Sequence, residues 1–247
     1  LINLCDTIDI KKIKAKEDKI IFEGNFSKNI NKKINSVVDT LKIVKKIKKI
    51  NDKFKIIVKK NIPIFAGLGG GTSNAVHIIK YFLRNNLNSK NINIFKKKIG
   101  SDLVLFLHKQ SYQKNLNKVI KYKKFHKLYF LLLYPKIYCS TKEMYSKVKQ
   151  YKVHRKINYP RILIKKIFIN SLKKEANDLQ NIVEKKHPII KKIIKNISNL
   201  KGCEIARITG SGSVCFGVFK NKKLAIKALK EIKIKHPKYW SAVTKTI

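Results

Sequence analysis

PIFAGLGGGTSNA, residues 63–75, holds four of the ten glycines of this 247-residue chain. They are Gly67, Gly69, Gly70 and Gly71. Just before them, FKIIVKK (54–60) alternates apolar and charged residues, the period of a strand. Just after them, Ala75, Val76, Ile79, Phe82 and Leu83 fall on one helical face. Thr72, Ser73 and Asn74 are residue types that cap helix N-termini. Strand, glycine run and helix together are a phosphate-binding design. Glycines let the backbone turn sharply and aim several N–H groups at one point. The helix N-terminus adds partial positive charge. A glycine-rich turn without a ligand is the alternative. The Gly-Lys-Ser/Thr ending of a Walker A loop is absent, and no acid follows at dinucleotide-site spacing before Asp102.

Further from this loop, residues 7–26 read as strands around a polar turn and 31–50 as a helix with Ile34, Val37, Val38, Leu41, Val44 and Ile47 on one face. A helix is expected at 91–99. LYFLLLY (128–134) reads as a buried strand stopped by Pro135 and is far too short for a membrane span. Helices are expected at 141–149, 161–169 and 178–197, strands at 203–209 and 214–219, a helix at 222–234 and a last strand at 240–246. The class is α+β, with a weak boundary near residue 126.

The formal charge is +44, which taken alone suggests a nucleic-acid or anionic-membrane partner. Yet only Arg84, Arg155, Arg161 and Arg207 among the 58 basic residues are arginine, the better fork for phosphate and guanine. Lys, Ile and Asn share A/T-rich codons, so genome composition accounts for the excess. No obligatory nucleic acid and no membrane partner are expected. Cys5, Cys139, Cys203 and Cys215 lack metal-ligand spacing and read as small buried residues of a reducing compartment, the cytoplasm.

Asp102, in IGSDLVLFL, is the only acid between Asp52 and Glu143. Its spacing suits a catalytic carboxylate or a helix cap equally. TGSGSVCFGVF (209–219) is a second glycine turn, with Gly210, Ser211, Gly212 and Ser213 between strand-like runs. An ordinary hairpin would read the same way.

The loop resembles the second motif of the GHMP kinases, a superfamily of small-molecule kinases. Its triple-glycine form is similar to the branch that phosphorylates a cytidyl diphosphate sugar alcohol. IGSDLVLFL resembles the family segment whose Asp takes the proton from the substrate hydroxyl, with Val104 where the family has proline. Residues 209–219 resemble the third motif, which helps shape the site between two domains. The resemblance implies a ribosomal-protein-S5-like domain over 1–126 that binds ATP, and a ferredoxin-like substrate domain over 127–247. It implies phosphate contacts from Gly67, Leu68, Gly69, Gly70, Gly71, Thr72 and Ser73, with the two hydroxyls also offered to Mg2+. Asn35 and Lys60 stand where the family contacts the nucleotide. Tyr145, four residues after Thr141, matches a cytidine-stacking aromatic, although a core aromatic on a helix would look alike. Asn177-Asp178-Leu179 resembles a further family segment that serves as a helix cap as much as a site. The family's opening Lys-bearing strand and Tyr-His segment have no match here, which implies that the chain alone is inactive or badly impaired. Three alternatives stay open: a GHMP kinase acting on an alcohol without cytidine, a basic RNA-binding protein without enzymatic activity, and a decayed enzyme. Oligomeric state is not legible.

Overall fold

The computed structural model describes residues 1–84, 87–116, 118–148 and 161–247. These form two compact units. The first holds Leu1, 3–64 and 69–120; the second holds Ile2, 65–68 and 121–247.

The first unit is built on β1 (Thr7–Ile13), β2 (Lys19–Glu23) and β3 (Lys53–Lys59), in the order β1-β3-β2. β3 is central because its alternate residues Phe54, Ile56 and Val58 are buried. It pairs antiparallel with β1, Ile10 facing Ile56, and parallel with β2, Ile20 facing the same residue. The parallel pair needs a crossover, and α1 (Ser36–Lys48) lies within it. Val37 and Leu41 of α1 join the sheet's apolar face and Ile78 of α2 (Gly70–Leu83) in one core. Val44, Val76, Ile79 and Leu83 form a neighbouring cluster with Phe95 of α3 (Ser89–Ile99) and Leu103. Leu103 belongs to a 3₁₀ helix, Ser101–Leu107. A hairpin of β4 (Ser111–Asn115) and β5 (Lys118–Lys121) follows. Its SYQKN and KVIK segments are too polar and short for the strand pattern to stand out.

The second unit carries an antiparallel sheet ordered β7-β8-β6-β9. β6 (Tyr129–Tyr134) is the expected apolar strand, flanked by β8 (Cys215–Phe219) and β9 (Trp240–Lys245), with β7 (Cys203–Ile208) beyond β8. Leu131 and Leu133 of β6 share a core with Ile193 and Ile197 of α7 (Pro188–Ser198) and Ala225 and Ile232 of α8 (Lys222–Lys235). The helix expected over 178–197 is two helices. α6 (Gln180–Lys186) stops before His187, and Pro188 opens α7 at its first turn. Proline lacks the N–H and disfavours the helical backbone in the residue before it. The helix expected at 161–169 is α5, Lys165–Lys173. A shift of about one turn leaves the same residues on one face, so periodicity alone does not fix the ends. α4 spans Thr141–Ser146; position 149 of the expected helix lies outside the described residues. Cys139 and Cys215 are buried, but Cys5 is exposed, against the expectation that all four thiols are core residues. Burial raises the Cys203 thiol to about 11 and that of Cys215 further.

Candidate active site

α2 begins within the glycine run. Gly69 is its N-cap, with φ +65, and no side chain caps the helix. Thr72, Ser73 and Asn74 are therefore not caps, as their types suggested; they lie inside the helix, with Ser73 N–H already donating to Gly69 O. The first-turn amides keep no side-chain partner, and the turn contains no acid. That is the arrangement that receives an anion. Gly69 and Gly71 are exposed, while Thr72 and Ser73 are half-buried. A cavity of about 330 Å3 opens beside this turn, lined in part by Ser73, Asn74, His77 and Tyr81.

Three elements of the first unit fix the turn. A Cβ on Gly69 would come within 2.5 Å of the Phe106 ring. Phe106 sits on the 3₁₀ helix that carries Asp102, so the glycine lets that helix approach. Ser36 Oγ donates to Gly71 O at 2.9 Å. Beneath Gly70 lie Ile62 and the Lys60 ammonium, 3.1 and 3.5 Å from where a Cβ would stand.

The Lys60 ammonium is engaged in a buried ion pair with Asp6, the side chains being 3% and 0% exposed. Asp6 also accepts from the backbone N–H of Asn61 at 2.8 Å and of Ile62 at 2.9 Å, and from Asn74 Nδ2 at 2.9 Å. One carboxylate thus ties the end of β3 to the first turns of α2. Sequence reading missed Asp6. Its partners lie 54 to 68 positions away, and no local pattern links them. The remaining signal was scarcity, because acids number only 14. Asn35, expected at the nucleotide, caps α1: its Oδ1 accepts from Val37 and Val38 N–H, each at 3.0 Å.

Asp102 is exposed in the first turn of the 3₁₀ helix. Among the described residues its carboxylate has no hydrogen bond or ion pair. Chemically it is an available base.

In the second unit, Gly67 (φ +72) packs against the other glycine turn. A Cβ on it would run into Thr209 O and reach 3.0 Å from Gly212 N. Thr209 Oγ1 donates to Gly67 O at 3.0 Å, and Val214 N–H to Ala66 O at 3.3 Å. Gly210 O accepts from Asn177 Nδ2 at 2.8 Å, and Ser211 Oγ bonds Thr141 Oγ1 at 3.0 Å. The structure therefore brings Gly67, Gly210, Ser211 and Gly212 together. Leu68 is half-buried beside them in sequence. Tyr145 is 51% exposed on α4, which starts at Thr141, so it is not a core aromatic. Among the described residues no cluster of three or more His, Cys, Asp or Glu could hold a metal ion. None of their helices is long and apolar enough to cross a membrane.

Comparison with known proteins agrees with this geometry. Residues 35–109 match the GHMP kinases N terminal domain and residues 162–238 match GHMP kinases C terminal. A 4-diphosphocytidyl-2-C-methyl-D-erythritol kinase of Pelagibacter ubique (strain HTCC1062) is 37% identical over 253 residues, covering 100% of this chain and 88% of the relative. One of Thermodesulfovibrio yellowstonii is 30% identical over 261 residues, covering 100% and 87%. A crystal structure of 4-(cytidine 5'-diphospho)-2C-methyl-D-erythritol kinase superposes with TM-score 0.74 at 17% identity, covering 98% of this chain and 87% of that one. A homoserine kinase from Cytophaga hutchinsonii gives TM-score 0.74 at 15%, covering 98% and 85%. These structural likenesses show the shared fold. An uncapped glycine-rich helix start, a second glycine turn and an exposed carboxylate thus occur in a chain that belongs to the GHMP kinase family, small-molecule kinases that take their phosphate from ATP.

Proposed function

We propose that this chain transfers the γ-phosphate of ATP to the 2-hydroxyl of 4-diphosphocytidyl-2-C-methyl-D-erythritol. The observation that carries the chemistry is Asp102. It is an exposed carboxylate without a partner among the described residues, on a 3₁₀ helix whose Phe106 lies against Gly69. Phosphoryl transfer asks the protein mainly for positioning and charge stabilisation. The amides from Gly67 to Gly71 and the start of α2 hold the phosphates and stabilise the charge that develops in transfer. Asp102 orients the substrate hydroxyl and accepts its proton. Thr72 and Ser73 supply hydroxyls toward phosphate. Two neutral hydroxyls suit a magnesium ion held chiefly by phosphate oxygens and water; such an ion neutralises phosphate charge when bound. Residues 1–126 provide the ATP contacts. Residues 127–247, with Tyr145, Gly210, Ser211 and Gly212, provide the substrate contacts. The choice of substrate is supported by the 37% identical relative named for it. The free thiols suit a cytoplasmic setting.

The test is ADP release by the natural full-length protein, with ATP and magnesium, on the cytidyl substrate and on the same polyol phosphate without cytidine. Turnover that needs the cytidyl group is expected. Equal turnover without it points to another GHMP kinase, and absence of substrate-dependent ADP removes the reading.

A further inference from the structure

The two oxygens of the Asp6 carboxylate hold different parts of the chain. Oδ1 accepts from two backbone amides in the segment after β3, Asn61 at 2.8 Å and Ile62 at 2.9 Å. Oδ2 accepts from two side chains, the Lys60 ammonium and, at 2.9 Å, Nδ2 of Asn74. Asn74 is 4% exposed. It is the fifth residue of α2, directly after the turn whose amides lack a side-chain cap. The same frame also runs beneath that turn, since Lys60 Nζ lies 3.5 Å from where a Gly70 Cβ would stand. All of these residues belong to one unit.

Asp6 and Lys60 are closed to a phosphate. Their side chains are 0% and 3% exposed and engaged with each other. Asn74 turns its amide nitrogen to a carboxylate, an anion already in place, and its backbone N–H is consumed within the helix by i to i−4 bonding. Yet these residues set where the first turn of α2 stands relative to β3 and to the cavity beside it, which Ser73 and Asn74 help to line. Helix-start amides hold an anion when they point at it together, and a misplacement of about 1 Å is expensive at a reacting site.

We infer that Asn74 is a positioning residue for ATP: through Asp6 it holds the first turn of α2 where its amides meet the phosphates. This rests on the function proposed above. Asp6 and Lys60 are the fixed side of the tether, and Asn74 is the side that α2 carries. The tether acts on ATP alone, because it reaches the helix start and no residue proposed for the alcohol substrate.

The experiment uses the natural full-length protein as wild type, Asn74→Leu, the double variant Asp6→Leu with Lys60→Met, and the triple variant. Asn74→Leu deletes the tether and keeps the volume. The double variant removes the carboxylate without stranding a charge. Asn74→Ala is measured in parallel, in case the branched side chain does not pack. Calorimetry gives Kd for ATP with magnesium, kinetics give KM for ATP and for the cytidyl substrate, and thermal unfolding gives Tm. Asn74→Leu is expected to raise Kd and KM for ATP about tenfold, with KM for the cytidyl substrate within about twofold. The double variant should show a similar loss. Asn74→Leu should then add less than about twofold to it, because the tether is already gone. A residue that only packs would lower Tm and leave Kd for ATP unchanged. A residue that touches phosphate itself would cost the same factor in both backgrounds. Either result overturns the inference while wild type still binds ATP. A wild type that does not bind ATP removes the proposed function, and this inference with it.

Discussion

Asp6 and Asp102 are carboxylates of the same unit with opposite surroundings. Asp6 is wholly buried and meets four donors: Lys60, Asn61, Ile62 and Asn74. Asp102 is exposed and meets none among the described residues. A buried carboxylate must be satisfied or it becomes costly. An exposed one is hydrated and keeps its lone pairs for a visitor. The first therefore ties the end of β3 to the start of α2, and the second is left available for the chemistry proposed above.

The strongest way to break this contrast is Asp102→Asn. It should lower kcat by about 10²–10⁴-fold, the usual worth of a positioned base, and leave Tm essentially unchanged. A Tm loss comparable to that of Asp6 variants would show that Asp102 is structural. Asp6→Ala should behave in the opposite sense. Removing one partner of a buried pair costs about 3–5 kcal/mol, and about 10 °C of Tm for a chain of this size. Thermal unfolding checks it. The double variant Asp6→Leu with Lys60→Met should recover part of that loss, because no charge is then stranded.

Gly67→Ala tests the other half of the glycine stretch. Its Cβ would run into Thr209 O at a positive φ, so a loss of about 2–3 kcal/mol is expected, read by chemical denaturation. Gly100→Ala meets no atom within 4 Å but has φ +125. Backbone strain alone should cost it about 1 kcal/mol.

Glu204 is the intermediate case, and the smallest effect. Hydrogen bonding to Lys173 holds its carboxyl below the usual range. A depressed folded value means that its contribution is complete above the unfolded carboxylate range and fades as pH falls through the folded value. The Tm difference between wild type and Glu204→Gln should therefore shrink on acidification from pH 7 to about pH 3. A difference that grew would reverse the sign of the argument.

The contrast also marks what the sequence could reveal. Signals carried by neighbours were legible: the alternation of Phe54, Ile56 and Val58, the face of α2, and the apolar strand at Tyr129–Tyr134. The isolation of Asp102 is also visible along the chain; its catalytic role is a proposal that the Asp102→Asn variant tests. Asp6 was not legible, because its role is defined by residues more than 50 positions away. Thr72 and Ser73 misled for a related reason. Their types favour capping, but Gly69 at φ +65 already starts the helix. Lys60 and Asn35 were placed by family resemblance, and only coordinates reveal that one is sealed in an ion pair and the other stops a helix end. Pro188 was visible, yet an apolar period continuous across it suggested one helix.

The Asp6 knot has one more consequence. It holds Asn61, Ile62 and Asn74 to one carboxylate, so the configurational entropy of that stretch is surrendered when the chain folds. If the start of α2 receives phosphate as proposed, its Asn74 side is already fixed by folding, and capture there is governed by encounter instead of rearrangement.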